Sequence, residues 1–278
     1  MAKGTSAESR ARVFHELHRA GCFVIPNPWD VGSARLLAHL GFKALATTSS
    51  GFAWSVGKRD NRITLEESLQ HLRELSAAVE VPINADFEDG FAEAPEDVAA
   101  NVARAVETGI AGLSIEDSID GTTNQLFQLS LATERIAAAR RAIDRSGTGA
   151  LLVGRSEGFI RGQPDLAATI RRLTAYAEAG ADCLYAPGLR SLDDIGAVVR
   201  AVAPKPVNVL VGNDFTTVQA LAEIGVRRIS VGGALARTAW AGFFSAAREI
   251  AEHGTFHALA GAIPSRELEI AFPAGSGR

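Results

Sequence analysis

Only two cysteines, Cys22 and Cys183, occur in 278 residues. That is too few for a disulfide framework or a metal-binding knuckle, and each adjoins an apolar strand-like run, which suits reduced core thiols. Positive charge is not in excess: 28 Lys+Arg stand against 32 Asp+Glu, a formal net charge of -4, which excludes a polybasic nucleic-acid binder. Long hydrophobic runs are missing too. The longest, such as 149–153 and 195–199, fall far short of the roughly 18–20 residues that cross a bilayer, so no membrane span is expected. Residues 1–12 are polar and lack the apolar centre of a secretory signal, from which a cytoplasmic location is expected. Proline is scarce, at 10 residues, beside 27 glycines and 47% hydrophobic residues, so nothing marks a disordered or collagenous chain. The six histidines (15, 18, 39, 71, 253 and 257) all fall in helix-like or tail segments, so histidine base catalysis is not expected. His253 and His257 have i,i+4 spacing but lack the Glu of a HExxH zinc motif.

What is present is alternation. Eight short apolar runs read as strands: 22–26, 44–48, 82–86, 112–116, 150–155, 183–186, 207–211 and 228–231. Amphipathic segments lie between them, at 32–40, 64–79, 95–108, 132–143, 164–179, 192–202 and 215–224. Four of these end on a glycine, Gly41, Gly109, Gly180 or Gly225, and a strand follows each. Eight βα units predict a (β/α)8 TIM barrel. The competing doubly wound sheet wants a glycine-rich phosphate turn after an early strand, and the first turn is instead Pro26-Asn27-Pro28-Trp29-Asp30. Composition does not break along the chain, so residues 1–278 read as one domain. It has a C-terminal helical extension from about residue 233, and 273–278 read as a flexible end.

A barrel of this kind places its chemistry just past the strands, and those positions are acidic. Asp86-Phe87-Glu88-Asp89-Gly90-Phe91 follows the third strand, where alternation along an extended segment would send Asp86 and Glu88 to one side. Glu116-Asp117-Ser118 follows the fourth. Converging carboxylates repel one another unless a cation offsets them. Mg2+, or Mn2+ in its place, held partly through water by Asp86, Glu88 and Glu116, is the expected solution. The plainer reading of Asp89, Asp117 and Glu93 is helix capping or pairing with Arg. Asp60 ends a loop, 49–60, that is long for a βα connection, and the Ser-Gly pair in that loop can offer backbone N–H groups to an anionic oxygen. Arg155, at the end of the fifth strand, either grips a substrate carboxylate or pairs with a neighbouring acid.

The order of these motifs resembles the isocitrate lyase/phosphoenolpyruvate mutase superfamily from about Asn27 to Trp240. Asn27-Pro28-Trp29-Asp30-Val31-Gly32-Ser33-Ala34 is similar to its Asn-x-x-Asp-x-x-Ser-Ala opening, and Thr48-Ser49-Ser50-Gly51-Phe52 to its substrate-binding Ser-Gly loop. Asp86-Phe87-Glu88-Asp89-Gly90-Phe91 resembles the Asp-x-Asp-x-Gly-Tyr metal motif, with Glu88 for the second Asp, and Gly112 to Asp117 resembles the segment whose Glu belongs to the metal site. The resemblance implies a barrel whose last helix is often exchanged between subunits, hence a homodimer or homotetramer, and Trp240, Phe243 and Phe244 supply an apolar surface for it. It also implies Mg2+-assisted making or breaking of C–C or P–C bonds in small carboxylic or phosphonic acids through an enolate. On that basis Ser50, Gly51 and Phe52 would hold the carboxylate and oxo oxygens, Asp60 and Asp86 would order the metal's waters, and Arg155 would bind the substrate anion.

The sequence departs from the family pattern after Glu116-Asp117, where 118–125 lacks the lyases' Lys-(Lys/Arg)-Cys-Gly-His gate. Asn124 stands eight residues after Glu116, as in the mutase and phosphonopyruvate hydrolase branches, but Thr122 replaces their Lys. Tyr185-Ala186-Pro187-Gly188 occupies the region where some members carry a His. The expected function is a Mg2+-dependent lyase-type enzyme acting on a C–C bond of a small α-oxo or α-hydroxy acid, with Asp60, Arg155 and Asn124 as catalytic candidates. The alternatives are P–C bond chemistry and a catalytically silent carboxylate-binding barrel.

Overall fold

A computed structural model of the protein describes residues 6–119 and 124–272. Thr122 and the chain end 273–278, both singled out above, lie outside the described residues. The elements alternate as expected: α1 Ala7–Arg19, β1 Phe23–Ile25, α2 Val31–His39, β2 Leu45–Ala46, α3 Ser49–Ser55, α4 Leu65–Ala78, β3 Ile83–Asp86, α5 Pro95–Val106, β4 Gly112–Glu116, α6 Leu129–Ser146, β5 Leu151–Arg155, α7 Leu166–Glu178, β6 Cys183–Tyr185, α8 Leu192–Val202, β7 Val207–Leu210, α9 Val218–Glu223 and β8 Arg228–Ser230. A C-terminal run of α10 Ala234–His253, a 3-10 turn His257–Gly261 and α11 Ser265–Ala271 completes the chain.

All eight strands are parallel, in the order β1-β8-β7-β6-β5-β4-β3-β2, which makes a (β/α)8 barrel. No ladder joins β1 to β2. One main-chain bond, Ala46 N–H to the Pro26 carbonyl (3.0 Å), bridges that seam. The Asn27 side chain reinforces it by donating to the Thr47 carbonyl (2.8 Å) and accepting the Val231 and Gly232 N–H groups, both at 2.9 Å. One amide therefore ties together the chain just past β1, β2 and β8.

The helix ends follow the sequence signals. Asp30 and Thr64 cap α2 and α4 in reciprocal boxes with Ser33 and Glu67. Gly41, Gly109, Gly180 and Gly225 take φ of 88°, 89°, 104° and 90°, the left-handed turn that lets a helix hand over to a strand. Two elements depart from the sequence reading. Residues 49–55 are a helix rather than part of a loop, because Thr48 caps it by accepting the Gly51 N–H. The N-terminal segment, read only as polar, forms α1 with Ser6 as its cap.

Side-chain alternation divides the buried residues into two sets. Outward-facing residues such as Ile83, Ala85, Leu113, Leu152 and Leu184 pack under the helices. Inward-facing Ile25, Ala44, Ala46, Leu151, Val153, Cys183 and Tyr185 fill the barrel, and Phe14 of α1 closes its lower end. Gly112 shows how tight that closure is: a Cβ there would stand 2.9 Å from Phe14 Cε1 and 2.8 Å from the Leu151 carbonyl oxygen. Above this plug the interior turns polar, with buried Asn84, Ser114, Asn208, Arg228 and Ser230. Among the described residues no helix is long and apolar enough to cross a membrane.

Because Phe14 is fully buried, Phe14→Ala is expected to lower unfolding free energy by about 3–5 kcal/mol. The urea midpoint, followed by circular dichroism, measures it.

Candidate active site

A cleft of about 170 Å3 opens at the carboxyl ends of the strands, lined by residues of β2 through β8 and by the start of α3. Asp86 ends β3 at its wall. Its Oδ2 accepts from the Ser49 backbone N–H and hydroxyl, each at 3.1 Å, and its Oδ1 lies 3.1 Å from Arg155 Nη1. β3, β4 and β5 are neighbours, and β4 pairs Glu116 opposite Arg155. The same Nη1 consequently reaches Glu116 Oε2 at 3.3 Å.

Arg155 makes a third ion pair, Nε to Glu157 Oε1 at 2.5 Å, and Glu157 is fully buried. Arg161, in the connection that follows β5, adds positive charge 3.4 Å from Glu157 and 3.8 Å from Glu116. Asp117 orients this layer. It accepts the Glu157 N–H at 2.8 Å and is itself held by the Tyr176 hydroxyl (2.6 Å) and Arg172 (3.1 Å) of α7. Asp117 thus has the Arg-paired structural role expected, whereas Asp89 caps no helix: it accepts the Phe91 N–H in a turn (2.9 Å), and the next helix, α5, starts behind Ala94.

Burial alone would weaken Arg155's hold on its proton, but Glu157, Glu116 and Asp86 together reverse that and keep it cationic. Even so, carboxyls outnumber cations. Asp60, Asp86, Glu88, Glu116 and Glu157 are five groups gathered about the guanidiniums of Arg155 and Arg161, with Arg62 lining the recess of Glu88 and Glu116. Burial, then Glu157, raises Glu116 above the ordinary carboxylate range. Burial, then Asp86, raises Asp60. Glu88 is raised to about 9, by burial and then by Asp86, Glu116, Asp60 and Asp89.

The expected site residues separate as follows. Asp60, Asp86, Ser50 and Arg155 line the cleft. Glu88 and Glu116 line an adjoining recess of about 180 Å3. β3 stops at Asp86 and the chain turns, with Glu88 at φ 46°, so strand alternation does not align Glu88 with Asp86 as expected. Among the described residues no group of three His, Cys, Asp or Glu side chains stands close enough to hold a metal ion by itself. The donors suit instead a hard cation held through one or two carboxylates and water, beside acids whose repulsion is still unrelieved. Gly51 and Phe52 do not present a free amide cradle: their N–H groups bond to Thr48 Oγ1 (3.3 Å) and the Thr48 carbonyl (3.0 Å), and the Phe52 ring stacks on His71 at 3.8 Å. Asn124 is exposed and outside the cleft lining, and its carbonyl accepts from Gln163 Nε2.

Three contributors were not singled out from the sequence. Glu157 carries a legible signal, an acid two residues beyond an Arg at a strand end. Ser49 differs from its neighbour Ser50 only by the helix start that aims it at Asp86. Arg228 opens its strand, and parity with Ser230 places both toward the interior.

A family model described as phosphoenolpyruvate phosphomutase matches residues 14–251. A solved structure from Burkholderia cenocepacia with a provisional lyase/mutase designation is similar at a TM-score of 0.92 and 45% identity, covering 96% of this chain and 98% of that one. An oxaloacetate acetylhydrolase solved with its product oxalate is similar at a TM-score of 0.85 and 26% identity, over 95% of this chain and 94% of that one. An oxaloacetate decarboxylase of Pseudomonas aeruginosa is 28% identical over 84% of this chain and 82% of its own length.

The raised Glu88 makes a pH dependence testable. Its folded value lies above the ordinary 4.5, so below about pH 4 both folded and unfolded forms are protonated and the group costs nothing. As pH climbs toward 9 the unfolded chain releases the proton and the folded chain does not, which disfavours the fold. Glu88→Gln in chelator is therefore expected to raise unfolding free energy by on the order of 2 kcal/mol at pH 8 and by nearly nothing at pH 4. Denaturant titration at the two pH values measures the difference.

Proposed function

The chain belongs to the phosphoenolpyruvate phosphomutase family of the isocitrate lyase/phosphoenolpyruvate mutase superfamily, and we propose that within it the protein is a Mg2+-assisted carbon–carbon lyase acting on a small β-oxo acid, of the decarboxylase kind. The observation that carries this reading is the make-up of the cleft wall. Its described lining holds acids, amides, hydroxyls and two arginines but no His, Lys or Cys. Cleaving a C–C–OH unit requires a base for the hydroxyl proton, and the only carboxylates of the described lining, Asp60 and Asp86, are the groups that would be taken up in holding the cation. Decarboxylation of a β-oxo acid requires none: the C–C bond breaks, CO2 leaves, and the electron pair enters the α-oxo group as an enolate.

Asp86 and Asp60 would hold the cation, with Glu88 and Glu116 supporting it through water from the recess. When bound, the ion supplies an electrophile at the oxygen that gains charge. Ser49 fixes the Asp86 carboxylate by two hydrogen bonds, and Arg155 with Glu157 keeps the acids of β3 and β4 in place. Tyr185 stands across from Arg155, its ring 5.1 Å from the guanidinium. Burial, more than any charge nearby, pushes its hydroxyl up to about 12, so it carries its proton at neutral pH and can return one to the enolate carbon. The names of the oxaloacetate decarboxylase and oxaloacetate acetylhydrolase relatives point to the same class of acid.

The test is a panel of oxaloacetate, 2-methylisocitrate and phosphonopyruvate assayed for pyruvate release with Mg2+, Mn2+ or chelator. Metal-dependent turnover of oxaloacetate is expected, with Asp86→Asn lowering kcat/KM at least about a hundredfold. Turnover of phosphonopyruvate alone would support the P–C alternative, and no turnover of any acid the silent binding barrel.

Self-association is part of the same reading. Along the 20-residue α10 only Ala236 is buried, while Phe243 and Phe244 are 60% and 53% exposed. Beside them Trp54, Lys58, Arg237 and Trp240 line an open groove of about 520 Å3. A second copy presenting its own C-terminal helices would cover this surface, whether as a homodimer or a homotetramer. Light scattering is expected to give a multiple of the 29.2 kDa chain mass, and Phe243→Asp with Phe244→Asp is expected to reduce it to one chain.

A further inference from the structure

The cleft contains a second buried guanidinium, and its surroundings are the reverse of those of Arg155. Arg228 begins β8, is 2% exposed, and lines the cleft from within the barrel. Its Nε donates to Asn208 Oδ1 at 2.9 Å and its Nη1 to Asn84 Oδ1 at 3.4 Å. Asn208 is held in turn by donating from Nδ2 to Ser230 Oγ at 2.9 Å. Each partner is a neutral amide. Among the described residues no carboxylate stands within 4.0 Å of Arg228. Arg155 already contacts three carboxylates in the same cleft, so a substrate anion meeting it would meet their repulsion as well.

Amide oxygens solvate a guanidinium but do not neutralise it, and a charge buried without a counter-charge is costly. An anion able to reach it loses water but gains a charge-assisted hydrogen bond in a poorly screened site. The depth is fixed by the strand. Asn84 and Asp86 share the inward face of β3 two residues apart, so the Arg228 contact lies roughly 7 Å below Asp86. A ligand engaging both levels needs a second anionic group a few atoms from the one at the acidic rim.

We propose that Arg228, oriented by Asn208 and Asn84, binds the remote anionic group of the substrate and so selects diacids over monoacids, while Arg155 is a positioning residue for Asp86 and Glu116. This rests on the reading that a small acid occupies the cleft with Mg2+.

The test is calorimetry with Mg2+ and two probes, 3,3-difluorooxaloacetate, which carries the second carboxylate, and pyruvate, which lacks it. The wild type is expected to prefer the diacid. Arg228→Gln is expected to weaken diacid binding by about 10- to 100-fold and pyruvate binding by less than about threefold, with Arg228→Lys recovering part of the loss. Asn208→Asp keeps the acceptor for Arg228 Nε and supplies an internal counter-charge. It is expected to raise the Tm while lowering diacid affinity, an outcome that mere loss of structure would not give. If Arg228→Gln or Asn208→Asp folds and binds the diacid as tightly as the wild type, the proposal is overturned. A wild type that binds pyruvate but does not prefer the diacid overturns it as well, while leaving the cleft reading intact. If the wild type binds neither probe, the cleft reading itself falls. Should both variants fail to fold, a bromide-soaked crystal of the wild type decides: an anomalous peak at Arg228 supports the site, and no peak there refutes it.

Discussion

Arg155 touches Asp86, Glu116 and Glu157 at once, and carboxylates of adjacent strand ends can be buried together only where such a cation stands between them. Much of the surrounding architecture serves that contact. The sheet order places β3, β4 and β5 side by side, and the register sets Glu116 against Arg155. Behind them α7 supplies Tyr176 and Arg172, which fix Asp117, which fixes the Glu157 main chain. Moving α7 would therefore disturb the cleft without touching it, because the Glu157 carboxylate that grips Arg155 Nε is located through that relay.

How much of this the sequence disclosed follows from the range of each interaction. The eight strands and the four terminating glycines were legible, since apolar periodicity and a left-handed turn are local properties; β4 and α8 even have the expected bounds. Several strands are shorter than their apolar runs, β2 most of all, because a ladder needs a partner in register while burial does not. α1 was hidden because its inward face rests on few residues, chiefly Ala11 and Phe14. α3 was hidden because Ser-Ser-Gly carries no helical periodicity, although Thr48 is an ordinary cap. At the site, the acids past β3 and β4 could be named as a group, but their separation into cleft and recess could not, since it depends on the turn at Glu88. The saturation of Arg155 was one of two readings of that residue, and only the positions of Asp86, Glu116 and Glu157 in space choose between them.

The cleft is electrically graded from top to bottom. Acids dominate its rim, one saturated arginine stands among them, and within, among Asn84, Asn208 and Ser230, lies an arginine that has no acid partner among the described residues. Neutral hydrogen-bonding groups at that depth are unusual, because the interior of a (β/α)8 barrel is generally filled by branched apolar side chains. Here the apolar filling is confined to the lower end, where Phe14 stands beneath Leu151 and Val153. The polar layer above it has no evident packing advantage, and its cost in desolvation is understandable where it faces something that is itself polar.

The amide of Asn27 leaves the barrel with an uneven rim. Seven strand boundaries are zipped by ladders, whereas the eighth rests on one backbone bond and on a side chain that must satisfy three partners. Such a joint parts at less cost than any ladder beside it, so slow breathing of the cylinder should concentrate there and amide protons near Ala46 should exchange with solvent sooner than those of β4 or β5. The joint also borders the cleft, since Asn27, Ala46 and Thr47 all line it. A molecule lodged inside would brace the loosest stave of the cylinder, so that occupancy and rigidity rise together.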